Sequence, residues 1–379
     1  MLYRKFPRIE GEHSILGFGC MRLPVTPEGA IDEPAAMKLL RAGFEGGINY
    51  FDTAWPYHGG LGEEFVGRAV ADFRDRITLV TKLPVWLVNE PADMGRFLDK
   101  QLAALRTDHL DIYLFHALSA ERWARVQEMG ALEFMERAKK AGKIRHFGFS
   151  FHDGLDSFKK IVDACPWDVC QIQYNLLDRN FQAGTEGLRY AASKDIGVIV
   201  MEPLKGGNIS RPVPAELAAG AEAAGCTAPT LADLGLRWVW DQPEVSLVLS
   251  GMTTAEQLEQ NLKSAERGLP GGMTPEERRL ADEVQTFLAG HMKVPCTGCA
   301  YCMPCPQGLS IPQCFNILNT ASLSGKWDVQ KNQYQYIFAP ERGVRMASAC
   351  VQCGACVAKC PQHIAIPDRL REVVQAFEG

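Results

Sequence analysis

Eight short apolar runs alternate with amphipathic stretches between residues 15 and 265, and no other feature restricts the fold as strongly. The runs cover 15–21, 49–54, 77–83, 110–116, 144–151, 169–175, 197–204 and 245–251. Each is rich in β-branched or aromatic residues, as expected of a strand buried on both faces. Helix-period stretches follow them at 33–45, 63–71, 92–105, 120–140, 155–163, 185–194, 230–240 and 255–265. Eight such strand–helix units fit an α/β chain closed into a (β/α)8 TIM barrel, whose site lies at the C-terminal strand ends. A doubly wound sheet is the alternative. It would usually carry a Gly-rich dinucleotide turn after its first strand, and Gly17-Phe-Gly19-Cys-Met-Arg22 lacks the third glycine.

The last quarter of the chain reads differently. Nine of the 13 cysteines lie there, eight of them in two runs. One is Cys296-Thr-Gly-Cys299-Ala-Tyr-Cys302-Met-Pro-Cys305-Pro306 and the other Cys350-Val-Gln-Cys353-Gly-Ala-Cys356-Val-Ala-Lys-Cys360-Pro361. The second has bacterial ferredoxin spacing, in which three closely spaced thiolates hold one cubane and the cysteine before proline ligates the other. Two [4Fe-4S] clusters with crossed ligation are therefore expected. Cys296, Cys299 and Cys302 would share one with Cys360; Cys350, Cys353 and Cys356 would share the other with Cys305. The first run has two residues rather than three before its last cysteine, which leaves Cys314 as a substitute ligand and a single cluster as an alternative. A disulfide framework or zinc is the competing reading of such cysteines. About 45 residues separate the runs, including the amphipathic stretch 313–336. That leaves room for helices around the clusters, hence a small, mainly helical, ferredoxin-like iron–sulfur domain.

The expected division is a barrel over 1–270, a linker helix over 271–290 opened by Thr274 as N-cap and Pro275 in the first turn, and the cluster domain over 291–379. The net charge of −5 does not suggest a nucleic-acid partner. No apolar run is long enough for a membrane span, and residues 1–7 do not resemble a signal peptide. Many cysteines without an export signal suggest the cytoplasm, where thiols remain free for metal. Cys20, Cys165, Cys170 and Cys226 are scattered and read as core residues.

Ionisable residues mark consecutive strand ends: Asp52 with Tyr57 just beyond it, then Lys82, then His116. Singly, each has an ordinary reading as a helix cap, loop aromatic, solvated strand end or core histidine. Together at one barrel mouth they form a proton-transfer unit. A tyrosine holds its proton to pH about 10, and a nearby ammonium favours the phenolate. Lys82 can supply that charge, and Asp52 can hold Lys82 in place.

The segment Asn49-Tyr-Phe-Asp52-Thr-Ala-Trp-Pro-Tyr57, the pair Thr81-Lys82 and Leu114-Phe-His116 resemble the aldo-keto reductase family. Glu63 and Glu64, before Val66-Gly67, fit its pattern too. With the cysteine tail, the whole chain is similar to that family's iron–sulfur branch. The resemblance implies a (β/α)8 barrel, an Asp/Tyr/Lys/His tetrad and a nicotinamide cofactor, NADPH or NADH. It implies Ser150 and Gln171 at the carboxamide and Asn261 on the adenine side. Phe151 stands where the family usually has asparagine, and Met201 where many members stack an aromatic. Gly251 and Gln257 occupy a stretch where NADPH-binding members often place Lys and Arg, so strict NADPH preference is not implied; Arg22 or Lys205 could compensate. The loop Glu202-Pro-Leu-Lys205-Gly-Gly207 resembles the family's loop after strand seven, and Trp55 and His152 face the expected mouth.

The expected function is a cytosolic NAD(P)H-dependent oxidoreductase interconverting a small carbonyl and an alcohol, with appended clusters for electron transfer or structure. The rival is an electron-transfer module in which the clusters carry the activity and the barrel docks a redox protein partner. In a third reading the clusters only staple the tail.

Overall fold

A computed structural model describes residues 1–226, 230–338 and 344–379. The chain forms two compact units, Met1–Pro203 with Ala232–Met273, and Leu204–Leu231 with Thr274–Gly379. Boundaries at 270 and 290 divide the chain differently, because Leu204–Leu231 packs with the tail.

The first unit begins with an antiparallel hairpin, β1 (Tyr3–Phe6) and β2 (Ile9–Ser14). Eight parallel strands follow: β3 (Leu16–Gly19), β4 (Tyr50–Asp52), β5 (Thr78–Leu83), β6 (Leu110–Leu118), β7 (Ile144–Phe151), β8 (Val169–Gln173), β9 (Gly197–Met201) and β10 (Val245–Ser250). They close into a barrel in chain order, with β10 pairing back onto β3. Each lies within one of the eight apolar runs or, for β6, extends two residues beyond it.

Register explains which side chains meet. Asp52 pairs with Val80, Lys82 pairs with Leu114, and Leu114 pairs with Gly148. Residues two apart on a strand share a face. Asp52, Val80, Lys82, Leu114 and His116 therefore all point inward, climbing toward the mouth as the stagger of a closed barrel requires. Below them the inward positions are apolar: Tyr50, Val80, Ile112, Leu114, Val169, Ile199, Leu247 and Leu249 form one buried cluster with Phe6 and Ile9 of the hairpin. The hairpin thus plugs the N-terminal end. Gly197 makes room for it, since a Cβ there would come 2.3 Å from Phe6 Cδ1.

The helix expected over 120–140 is two helices, Ala120–Glu128 and Ala131–Lys140, separated by Gly130 at φ 73°. The remaining barrel helices match their helix-period stretches to within a few residues.

The second unit is mainly helical. Helix Pro275–His291 opens on a capping box between Thr274 and Glu277. Helices Ile311–Ser324, Trp327–Ile337 and Ile366–Phe377 surround a core that includes Phe315, Leu318, Tyr334, Leu370 and Phe377. Gly325, in the left-handed conformation, ends the first of these helices and splits the stretch 313–336. Cys314 is fully buried in this core, where desolvation pushes its thiol up to about 12.

Removing the Phe6 ring should unplug the barrel floor. Phe6→Ala is expected to destabilise the barrel by about 3–5 kcal/mol, read as a lower denaturant midpoint by tryptophan fluorescence; an unchanged midpoint would show that the hairpin contributes little.

Candidate active site and cluster cavities

At the barrel mouth Lys82 and Asp52 are almost fully buried. Lys82 Nζ donates to Asp52 Oδ1 at 2.6 Å and to the Thr53 carbonyl at 2.8 Å. It also stands 5.3 Å from the centroid of the Tyr57 ring. Burial raises the Asp52 carboxyl above its ordinary range, and the adjacent ammonium opposes that rise. Tyr57 opens a short helical turn, and its ring meets His116 edge-on at 6.3 Å between centroids. The four tetrad positions are thus brought together around one point.

His116 occupies a β-bulge. Pairing of β6 with β7 slips by one residue between Phe115 and Leu118, and Ala117 takes a φ of 55°. Bulges re-aim side chains next to active sites. Burial pushes the His116 pKa well below 6.5, and the Lys82, His152 and Arg122 charges push it further, so the ring is neutral. The Ala117 N–H, lost to the ladder, donates to Ser150 Oγ at 2.7 Å.

Ser150 pairs with Gln171 on β8, and both are buried. Gln171 Nε2 lies 3.6 Å from Met201 Sδ, while its buried Oε1 has no hydrogen-bond partner among the described residues. A primary amide fits here, donating to that oxygen and accepting from the Ser150 hydroxyl, as a nicotinamide carboxamide would. Asn261 Nδ2 donates to Ser250 Oγ at 3.0 Å. Gln257 Oε1 accepts from the Thr253 N–H, and Arg22 pairs with Glu202 at 3.5 Å. The Arg22 stem crosses Gly251, where a Cβ would meet it at 3.0 Å. Trp55 packs edge-on against Phe97, and His152 Nδ1 lies 3.3 Å from Gln182 Oε1.

In the second unit, two cavities are ringed by cysteines. One is lined by Cys296, Cys299, Cys302 and Cys360 with Phe315, Ile364 and Ile366. The other is lined by Cys305, Cys350, Cys353 and Cys356 with Leu370. Each draws three cysteines from one run and the last cysteine of the other. Cys314 lines neither. Four thiolates in an apolar surround suit a cubane cluster, and none of the eight is in a disulfide.

A model of the Aldo/keto reductase family matches residues 15–273. The chain belongs to the aldo/keto reductase family. It is an oxidoreductase enzyme, and a model of a 4Fe-4S dicluster domain matches residues 295–365. The family barrel is similar to "Uncharacterized oxidoreductase YqkF" of Bacillus subtilis, 27% identical over 77% of this chain and 97% of that protein. Among solved structures it resembles aldo-keto reductase AKR11C1 from Bacillus halodurans in its holo form. That match is 27% identical, with a TM-score of 0.63 over 75% of this chain and 96% of that one. It also resembles an aldo/keto reductase from Klebsiella pneumoniae in complex with NADP and acetate, at 26% identity and a TM-score of 0.59, covering 73% and 92% of the two chains.

Sequence reasoning missed the buried network behind the tetrad. Gln101 Nε2 donates to Glu63 Oε1 at 2.5 Å and to the Lys82 carbonyl at 3.0 Å, Thr81 Oγ1 donates to the same Glu63 oxygen, and Tyr113 OH donates to Gln101 Oε1. Burial raises the Glu63 carboxyl, and the Thr81 and Gln101 hydrogen bonds hold it back. A glutamine between Leu98 and Leu102 on a buried helix face was the available signal. Glu64 makes only a surface pair with Arg68. Trp86 was also missed; its ring lies 5.0 Å from that of His116.

Neutral His116 has a pH signature. The unfolded chain binds a proton there below about pH 6.5 that the folded barrel refuses. The stability linked to this group is complete above that pH and is lost as pH falls, by up to about 1.4 kcal/mol per unit. In denaturant melts, His116→Asn should lose about 1 kcal/mol less than wild type between pH about 7.5 and 5.5; equal losses would mean that His116 protonates in the folded state.

Proposed function

We propose that this protein reduces a small carbonyl compound to an alcohol with NADH or NADPH, and runs the reverse oxidation. The observation that carries the proposal is the Lys82–Asp52 pair held against Tyr57 and neutral His116. When bound, the nicotinamide would supply a hydride to the carbonyl carbon. As that bond forms, negative charge grows on the carbonyl oxygen. Tyr57 is assigned the proton that neutralises it, with the buried Lys82 ammonium stabilising the phenolate left behind. Asp52 fixes Lys82 and offsets its charge. Neutral His116 donates one ring N–H to orient the carbonyl. Proton transfer of this kind contributes typically ~10²–10⁴-fold, and the Trp86 ring beside His116 offers an apolar wall to the substrate.

Ser150 and Gln171 are assigned to the carboxamide and Asn261 to the adenine side. Arg22 across Gly251 is the candidate partner for a 2′-phosphate. Its pairing with Glu202 argues against a strict demand for NADPH.

Two [4Fe-4S] clusters are assigned to the two cavities, with the Cys-Pro thiolates of Cys305 and Cys360 crossing between runs. Electron exchange with a redox protein is the second reading, and one observation favours it. Cys353 is exposed, and Val351 and Val357 beside it are 60% and 39% exposed. A cluster there would lie near solvent. A reducing compartment such as the cytoplasm suits so many free thiols; among the described residues no helix is long and apolar enough to cross a membrane.

Tyr57→Phe should lower turnover of every accepted carbonyl by at least about 100-fold with nicotinamide affinity changed little, measured by steady-state kinetics and fluorescence titration. Retained turnover would remove Tyr57 from the acid role. Anaerobic protein should hold about eight irons per chain. The double variant Cys296→Ala/Cys360→Ala distinguishes the ligations: crossed ligands lose one cluster and keep about four irons, whereas uncrossed runs lose both.

A further inference from the structure

The loop after β9 is built into the lead-in of the first cysteine run. Met201 ends that strand and Leu204 begins the second unit. Lys205, Gly206 and Gly207 all have positive φ, at 49°, 63° and 92°. A Cβ on Gly206 would come 2.0 Å from the Thr297 carbonyl oxygen, so only glycine allows this approach. Thr297 lies between Cys296 and Cys299 and is itself buried. Asn208, also buried, bridges the two segments: its Nδ2 donates to the Lys205 carbonyl at 2.8 Å and to the Cys296 carbonyl at 3.1 Å.

Helix Ile311–Ser324 anchors both sides of the bridge. Arg211 donates to Asn208 Oδ1 at 3.3 Å and reaches Thr320 and Asn316 on that helix. Asn319 on the same helix clamps both backbone groups of Val294, two residues before Cys296. The start of the helix, at Ile311, lines both cysteine cavities.

We infer that Asn208 is a positioning residue through which the cluster of Cys296, Cys299, Cys302 and Cys360 sets nicotinamide affinity. With thiolates fixed on iron, the Cys296–Thr297 backbone is a rigid template for residues 205–208. Without iron, the template loosens and the loop with it. That loop follows the end of β9 directly in the chain, and segments that follow barrel strands are the ones that build active sites in this fold. Cluster occupancy and nicotinamide binding are then linked equilibria, each strengthening the other by the same factor. The inference rests on the nicotinamide reading above, and gives the appended clusters a task that needs no electron transfer.

The test uses full-length protein loaded with iron, and Asn208→Asp. The aspartate keeps an acceptor for Arg211 but loses both Nδ2 donations and sets an oxygen against the Cys296 carbonyl. With iron content unchanged, the variant should bind NADH or NADPH about tenfold more weakly, and amide exchange over 205–211 should rise. Wild type stripped of iron by a chelator should weaken by a similar factor, whereas stripping the variant should add little, since two breaks in one linkage do not add. Equal nicotinamide affinity in loaded wild type and loaded variant would overturn the inference, as would additive losses. If loaded wild type binds no nicotinamide at all, the carbonyl-reductase reading falls instead. The exchange measurement then decides the latch alone: unchanged exchange over 205–211 in the loaded variant overturns it, and faster exchange upholds it.

Discussion

A ring of parallel strands closes only when each is displaced along its neighbour, and the site depends on that displacement. Asp52 sits opposite Val80 and Lys82 opposite Leu114, so the polar residue on each strand rises two positions above its neighbour's. Three side chains far apart in sequence are delivered to one inward face with almost no water around them. Burying an ion pair there carries a desolvation cost that Coulomb attraction need not recover. Lys82 and Asp52 are therefore poor candidates for a stabilising device and good ones for a functional one. Removing either would leave an uncompensated buried charge, typically a loss of about 3–5 kcal/mol.

The ammonium does not face Asp52 alone. Glu63 is buried on the other side of the strand carrying Thr81 and Lys82, tied to Thr81 and Gln101, and its charge also reaches Lys82. Gln101 in turn holds the Lys82 carbonyl and accepts from Tyr113. A fully satisfied buried network of this kind fixes the strand end from behind. The β-bulge at His116 does related work on the next strand, and its freed N–H is taken up by Ser150, which couples the tetrad to the proposed carboxamide site.

The eight barrel strands were legible because strands covered on both faces read as unbroken apolar runs. The terminal hairpin was not: Tyr-Arg-Lys-Phe and Ile-Glu-Gly-Glu-His-Ser look like solvated chain, and only the placement of Phe6 and Ile9 beneath the barrel makes them strands with a purpose. The convergence of Asp52, Tyr57, Lys82 and His116 was visible as ionisable residues at successive strand ends, and the grouping of cysteines as a proline after each run's last one. Gln101, Trp86 and Asn208 could not be found that way. Their partners lie 19, 30 and 88 residues away in sequence, and nothing local marks them. The single helix expected over 120–140 failed for a local reason: Gly130 permits a left-handed turn that the apolar periodicity conceals.

The second unit is discontinuous, since Leu204–Leu231 is made before the last barrel strand and the cysteines after it. A tail of contiguous residues could be exchanged between proteins by a single cut. Here a cut near residue 274 would leave Asn208 and Arg211 behind on the barrel and strip the lead-in to Cys296 of its partners. Synthesis imposes an order as well. Val245–Ser250 leaves the ribosome before any of the cluster cysteines, so the barrel can close while the loop still waits for its template. On the proposed ligation, iron would then reach a chain whose barrel strands are all already made, and residues 204–231 would be the part of the early chain that waits longest for its partners.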